Sequence, residues 1–456
     1  MKKIKAIFLF LAFTLSAYSE DIVIDENAMF GDETQPIVVQ KEEKSEKVDA
    51  ELNIKKIGIS GEIEFRGKSK SKAPWIDGKN YTTFESATKA DLYLDARIQD
   101  GFKVYADIEG SYYPNRTGSS LTVEGTDGNG NIQEFTYTQS NSEIILKEFF
   151  FDANYKRKVY FRFGKQNLKW GKSYFWNPTD TINIERKSFM DLERVREGVY
   201  GVKAHIPFGA EKNIYIFINN EDAGSMADSG ISAKYEFLVK NTEMSFSLWS
   251  KKNRKPIIGY DISGRALDMD LRLEASASYG SDGEKFVEIR EGEDSSGNPI
   301  LYPFYNKYED KVIPKITAGF TKSFDYGDFK DRITLNGEFY YNGKGYSENI
   351  IKKFTNSDDR TDYFKNYYEP NEYGRYYIAL FTQFDKFLND SNKSIKLNAI
   401  SNLSDMSGIV TAGFVYNPID DFTVETDLNG YFGSENSEYM LVGDRVSAEA
   451  ILSLKF

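Results

Sequence analysis

The chain has 456 residues, with 58 Lys and Arg against 70 Asp and Glu, one His and no Cys. A formal net charge of −12 argues against nucleic-acid binding. The missing cysteines exclude a lipid-anchoring cysteine, a thiolate metal site and a disulfide framework.

Lys2, Lys3 and Lys5, the apolar run from Ile7 to Leu15 and the small-x-small sequence Ala17-Tyr18-Ser19 read as a secretory signal peptide over residues 1–19. Its removal takes the formal charge from −12 to −15, because those three lysines leave with it. Residues 20–51 form an acidic, mixed-charge segment without periodicity, expected to be a disordered periplasmic tail or a plug. Beyond the signal no stretch approaches the roughly 20 apolar residues a membrane helix requires, and mean hydropathy is −0.53. Aromatic residues make up 15% of the chain, including 31 Tyr and 34 Phe, and Tyr and Trp favour membrane interfaces.

From Ile57 the sequence alternates with period two. Ile57, Ile59, Gly61, Ile63 and Phe65 share one face; Ser60, Glu62, Glu64 and Arg66 share the other. The next strand, 90–99, turns at Asp100-Gly101 into a third, 102–110. The same test places strands near 143–155, 158–166, 196–206, 213–219, 229–239, 242–250, 256–263 and 268–280. Others follow at 313–324, 331–342, 374–386, 394–402, 407–416, 422–432 and 445–456. The fold class expected is all-β: a transmembrane antiparallel up-and-down β-barrel over residues 52–456, of about 18 strands with 16 as the alternative, because two segments are short.

The connections sort by length. Short links at 100–101, 156–157, 207–212, 240–241, 264–267, 325–330, 387–393 and 417–421 alternate with the positions of long ones at 67–89, 114–142, 167–195, 281–312 and 343–373. Barrels of the outer membrane segregate short periplasmic turns from long extracellular loops in this way. A strand of ten residues at about 3.3 Å each, tilted by about 40°, spans about 25 Å, the height of the apolar band. Within two of the long loops, Leu121 to Glu124 with Asn131 to Thr138, and Phe286 to Arg290 with Ile300 to Phe304, alternate as projecting hairpins.

The final segment sets Val446, Ala448, Ala450, Leu452, Leu454 and Phe456 outward. Here the chain resembles bacterial outer-membrane proteins as a class. In them an amphipathic last strand ending in Phe is the signal read by the barrel-insertion machinery, and the resemblance gives Phe456 that role. The expected partners are outer-membrane lipid, that machinery and small hydrophilic solutes.

Strand parity turns Asp95, Asp107, Glu109, Glu274, Glu338, Glu425 and Asp427 inward as pore-lining acids. Arg97, Lys103, Arg162, Lys203, Lys234, Arg272, Arg332 and Lys396 turn inward as pore-lining bases. The two signs are similar in number, so weak ionic preference is expected. A barrel of this size leaves an aqueous channel unless something narrows it. The candidate is loop 167–195, which holds two of the four Trp. Trp170, Tyr174 and Trp176 supply its aromatic surface. Asp180, Asp191, Glu193, Arg194, Arg196 and Glu197 are expected to form an ion-paired network that folds it inward, and Asn177-Pro178 starts a turn. The run Gly164-Lys165-Gln166, then Trp170-Gly171, then Asn177-Pro178-x-Asp180 resembles a group of porin-like outer-membrane proteins. The resemblance covers about 40 residues; it implies an architecture and names no substrate.

Other chemistry finds little support. His205 is the sole imidazole, so a Ser-His-Asp triad or His-rich metal site is not built; its parity makes it a lumen-lining residue near the periplasmic end. Asp127-Gly-Asn129-Gly-Asn131 begins like a calcium loop, but Ile132 stands where the loop requires glycine, so a hairpin turn is expected instead. No GxGxxG, Walker A, GxSxG or HExxH sequence occurs. The reading is a non-enzymatic channel with no cofactor and no metal. The alternative is a surface adhesin or structural barrel with a closed lumen and binding loops.

Overall fold

The computed structural model describes residues 56–71, 82–99, 101–115, 120–126, 132–138, 140–182, 189, 196–221, 223–293, 298–354, 357–441 and 444–456. The expected signal peptide and the acidic segment 20–51 lie outside them. The chain runs β1 (Lys56–Ser71), β2 (Thr82–Gln99), β3 (Phe102–Tyr112), the hairpin β4 (Ser120–Thr126) and β5 (Ile132–Thr138), β6 (Ser142–Tyr155), β7 (Val159–Gln166) and β8 (Val199–Phe208). It continues with β9 (Lys212–Asn219), β10 (Gly230–Val239), β11 (Thr242–Ser250), β12 (Ile257–Ala266) and β13 (Met269–Tyr279). A second hairpin, β14 (Lys285–Glu293) and β15 (Pro299–Asn306), precedes β16 (Val312–Tyr326), β17 (Phe329–Asn342) and a helix, α1 (Ser357–Asn366). The last strands are β18 (Tyr376–Phe384), β19 (Lys393–Asn402), β20 (Ser407–Ile419), β21 (Phe422–Phe432) and β22 (Val446–Lys455).

Eighteen of these strands form one antiparallel sheet that closes where β1 pairs with β22. At the seam Gly61 and Phe456 exchange backbone hydrogen bonds of 2.8 and 2.9 Å. Closure leaves no free edge, which satisfies the backbone inside lipid. The two loop hairpins are separate two-stranded sheets, as their alternation predicts.

Alternation sorts the wall into two surfaces. Outward positions carry exposed apolar side chains, among them Ile57 (70% exposed), Ile59 (67%) and Ile144 (81%). Asp107, Asp152, Arg162, Glu274 and Glu338, at inward positions, are buried. A soluble protein reverses this order, so the outer surface is one that meets hydrocarbon. The turns joining β2–β3, β6–β7, β8–β9, β10–β11, β12–β13, β16–β17, β18–β19 and β20–β21 all lie at one end. Several close through left-handed residues, Lys156 and Arg157 at φ 53° and Leu267 and Asp268 at φ 55°, as tight hairpins demand.

Two differences from the sequence reading have physical causes. The strands run further into the loop expected at 67–89 than read: β1 continues to Ser71 and β2 begins at Thr82. Beyond the apolar band both faces of a strand are wet, so hydropathy stops alternating while pairing goes on: Gly67 faces Ser86 and Ser69 faces Phe84. In β6 the register shifts at Asp107, so Glu148 pairs with Asp107, Leu146 pairs with Ile108, and Lys147 is the extra residue of a bulge. The bulge turns Lys147 into the interior, where parity alone does not predict it.

Candidate functional site

The segment after β7 enters the barrel rather than crossing its rim. It follows one cross-strand row of inward side chains: Glu236, Ser245, Asp261, Glu274, Thr317, Tyr340 and Tyr377, on β10, β11, β12, β13, β16, β17 and β18. Trp170 packs with Leu168, Ile182, Val199 and Phe217 at the start of this path. Lys172 reaches Glu236 at 3.4 Å and also pairs with Glu243. Trp176 stacks on Tyr340, with ring centroids 5.4 Å apart and planes at 14°, and lies 5.7 Å from Tyr377. Phe175, Phe189 and Phe381 complete this buried aromatic cluster, and Tyr174 lies against Phe381 at 4.9 Å.

Two wall carboxylates hold the loop by its backbone. Glu338 accepts the amides of Tyr174, of Phe175 at 2.9 Å and of Trp176 at 3.1 Å. Glu274 accepts the Ser173 amide and, at 2.9 Å, the Thr179 hydroxyl. Bonds from amides to a charged acceptor are stronger than neutral ones. Gly171 is required at the crossing. Its φ of +98° suits glycine, and a Cβ there would sit 2.6 Å from Glu274 Oε2. Asn177 and Pro178 form the expected turn, closed by Asp180 N–H to the Asn177 carbonyl at 3.0 Å.

Of the ion-pair network expected within the loop, Arg196 meets Asp180 at 2.9 Å. Glu197 pairs with Lys165 of the wall. Asp191, Glu193 and Arg194 lie outside the described residues. The principal anchors are Glu274 and Glu338, which the sequence reading set among the pore-lining acids. They lie beneath the loop, 0% and 3% exposed, and their bonds to it depend on contacts about 100 or more residues away in sequence.

The other inward charges are mostly engaged across the wall. Asp95 pairs with Lys103 at 2.9 Å and lies 3.7 Å from Arg97. Lys147 bridges Asp91 at 2.8 Å and Glu109 at 2.7 Å, with Asp107 buried beside them. Arg162 grips Asp152 through two bonds of 2.7 and 3.0 Å and covers the Phe150 ring. Lys234 meets Glu236 at 2.9 Å, and Lys396 meets Glu425 and, at 3.3 Å, Asp427. Arg272 donates to Thr321 at 2.7 Å. Lys203 sits half-buried opposite Arg162. Arg332 donates to the Lys386 carbonyl at 2.7 Å and to Asn389 at 2.8 Å, bracing the turn after β18. His205 faces inward, stacked on Tyr215 at 4.4 Å with Nε2 2.9 Å from Asn213 Oδ1. Among the described residues no group of three or more His, Cys, Asp or Glu side chains is arranged to hold a metal.

Two extracellular segments close over the loop. Trp176 Nε1–H donates to the Asn371 carbonyl at 3.1 Å, and the Asn371 amide donates to Glu438 at 2.8 Å. Glu438 also accepts Tyr377 O–H at 2.8 Å and Asn402 at 2.9 Å. Burial pushes its carboxyl up to about 8. Above it, Phe286 of β14 packs with Ile350, Ile351, Phe354, Tyr363 and Tyr373. The cluster joins the β14–β15 hairpin to the segment carrying α1.

A closed cylinder of 18 antiparallel strands, apolar outside and polar inside with an inturned loop, is an outer-membrane β-barrel of the porin type. Among solved structures the chain is similar to OccK9 (OpdG) of Pseudomonas aeruginosa, with TM-score 0.50 and 8% identity over 88% of this chain and 98% of that one. It also matches a BenF-like porin of Pseudomonas fluorescens Pf-5, with TM-score 0.49 and 10% identity over 88% and 98% of the two chains. The P. aeruginosa OccK2 (OpdF) structure in complex with glucuronate matches with TM-score 0.49 and 11% identity over the same shares. The likeness to OccK9 is one of fold. No protein-family model matches the chain, and no curated protein matches it in sequence.

Proposed function

We propose that the chain is a non-enzymatic outer-membrane channel for small hydrophilic solutes, with loop 167–195 as its constriction. The observation that carries the reading is the amide clamp: three successive loop amides on Glu338, and the Ser173 amide with the Thr179 amide and hydroxyl on Glu274, inside a barrel wide enough for water. A loop bound this way occupies lumen that 18 strands would otherwise leave open. The pairing of inward bases with inward acids supports passage with weak ionic preference, because compensated pairs present little net field to a passing ion. Deleting residues 172–190 tests the constriction. Single-channel conductance rises if the loop limits flow, and unchanged conductance removes the loop from the account.

A further inference from the structure

Beneath the loop lies a set of oxygen atoms that the clamp does not use. Asp261 and Glu274 face each other directly across β12 and β13, with Ser245 and Thr317 as their outer neighbours in the same row. Asp261 is 1% exposed and the other three 0%. The Ser245 hydroxyl donates to Asp261 Oδ2. Asp261 Oδ1 has no hydrogen-bond partner, and neither has Thr317 Oγ1 or Ser173 Oγ. Ser173 covers the row from the loop side, 1% exposed, through the amide it donates to Glu274. Thr179 closes it beside Gly259, where a Cβ would meet the Thr179 methyl at 3.0 Å.

Neither Asp261 nor Glu274 has an ion pair among the described residues. The ammonium groups of this region are engaged elsewhere, Lys172 by Glu236 and Glu243 and Lys234 by Glu236. Two adjacent carboxylates out of water without a counter-charge are costly to keep ionised. The loop's donors are directed at Glu274. What Asp261 Oδ1, Ser173 Oγ and Thr317 Oγ1 have in common is free lone pairs.

Carboxylate and hydroxyl oxygens with no nitrogen or sulfur are the donor set of a hard cation. Two carboxylates match a double charge. Oxygens held away from bulk solvent suit calcium, which accepts protein oxygens in flexible geometry with water completing its shell, better than magnesium, which keeps several waters. We propose that Asp261 Oδ1, Glu274, Ser173 Oγ and Thr317 Oγ1 bind one calcium ion, which fastens the loop to the wall. The site stands or falls apart from the constriction, since it concerns what holds the loop and not what the loop limits.

The test uses the full chain, chelator-treated in detergent, with calcium as the probe. Equilibrium dialysis should give about one more bound calcium per chain for the wild type than for Asp261→Asn. Amide exchange across 173–179 should slow on adding calcium in the wild type and not in the variant. Thr317→Val and Ser173→Ala, which keep every charge, should each weaken that binding about tenfold, and they serve if Asp261→Asn does not fold. Equal calcium binding by the wild type and these variants, or exchange that ignores calcium in the wild type, overturns the proposal in favour of a buried proton or water.

Discussion

Replacing Glu338 by Ala tests the clamp at its strongest point. The carboxylate accepts three consecutive amides and is 3% exposed, so its loss leaves those donors buried and unsatisfied. Each stranded donor costs about 1–3 kcal/mol, and water entering the vacated space offsets part of that. A net loss of about 3–5 kcal/mol shifts the docked-to-undocked ratio of the loop by roughly two to four powers of ten. The Trp176–Tyr340 stack and its neighbours oppose the release by about 0.5–1.5 kcal/mol per ring pair. The barrel itself stands, because β17 keeps its backbone pairing with β16 and β18. Planar-bilayer recordings of Glu338→Ala should show higher mean conductance with rapid switching between levels, and the 172–190 deletion should set the upper limit. A variant that inserts normally and conducts with the steady wild-type level refutes the idea that this carboxylate holds the loop.

Three further outcomes follow from named contacts. The folded state keeps the proton of Glu438 up to about pH 8, against an ordinary value of 4.5; folding therefore takes up a proton between those limits. The stability of the 433–441 segment falls as pH rises from about 4.5 to about 8 and is level on either side. Hydrogen exchange there should speed up across that window, and Glu438→Gln should abolish the dependence. Arg162→Ala strands Asp152, which is 0% exposed, at a cost of about 3–5 kcal/mol, and should lower the urea midpoint for unfolding in detergent. Gly61→Val places a side chain where the Phe456 ring lies, since a Cβ at Gly61 would sit 2.6 Å from Cζ. The seam should then loosen, seen as loss of the compact, heat-modifiable band on gels.

Much of the architecture is readable from the sequence because lipid imposes a strict two-residue rule on each strand. All 18 barrel strands announce themselves by it, down to the short segments at β9 and β12. Its failures mark where the rule ceases to act. Ser69, Ser71 and Thr82 extend β1 and β2 above the membrane, where nothing distinguishes one face from the other. Lys147 enters the interior through a bulge, a one-residue insertion that parity cannot register. The loop was conspicuous through Trp170, Trp176 and the Asn177-Pro178 turn, and Gly171 can now be assigned a steric reason. Its anchors were not legible as anchors. Glu274 and Glu338 look like any other inward acid until the loop amides meet them across 101 and 164 residues of sequence separation.

The most direct test of the account is ion flow through the intact chain. Purified protein, with insertion verified by protease protection, should produce discrete conductance steps in a planar bilayer, with a reversal potential close to zero in a salt gradient. Verified insertion without steps would contradict the channel, and strong selectivity for one sign of ion would contradict the compensated lumen.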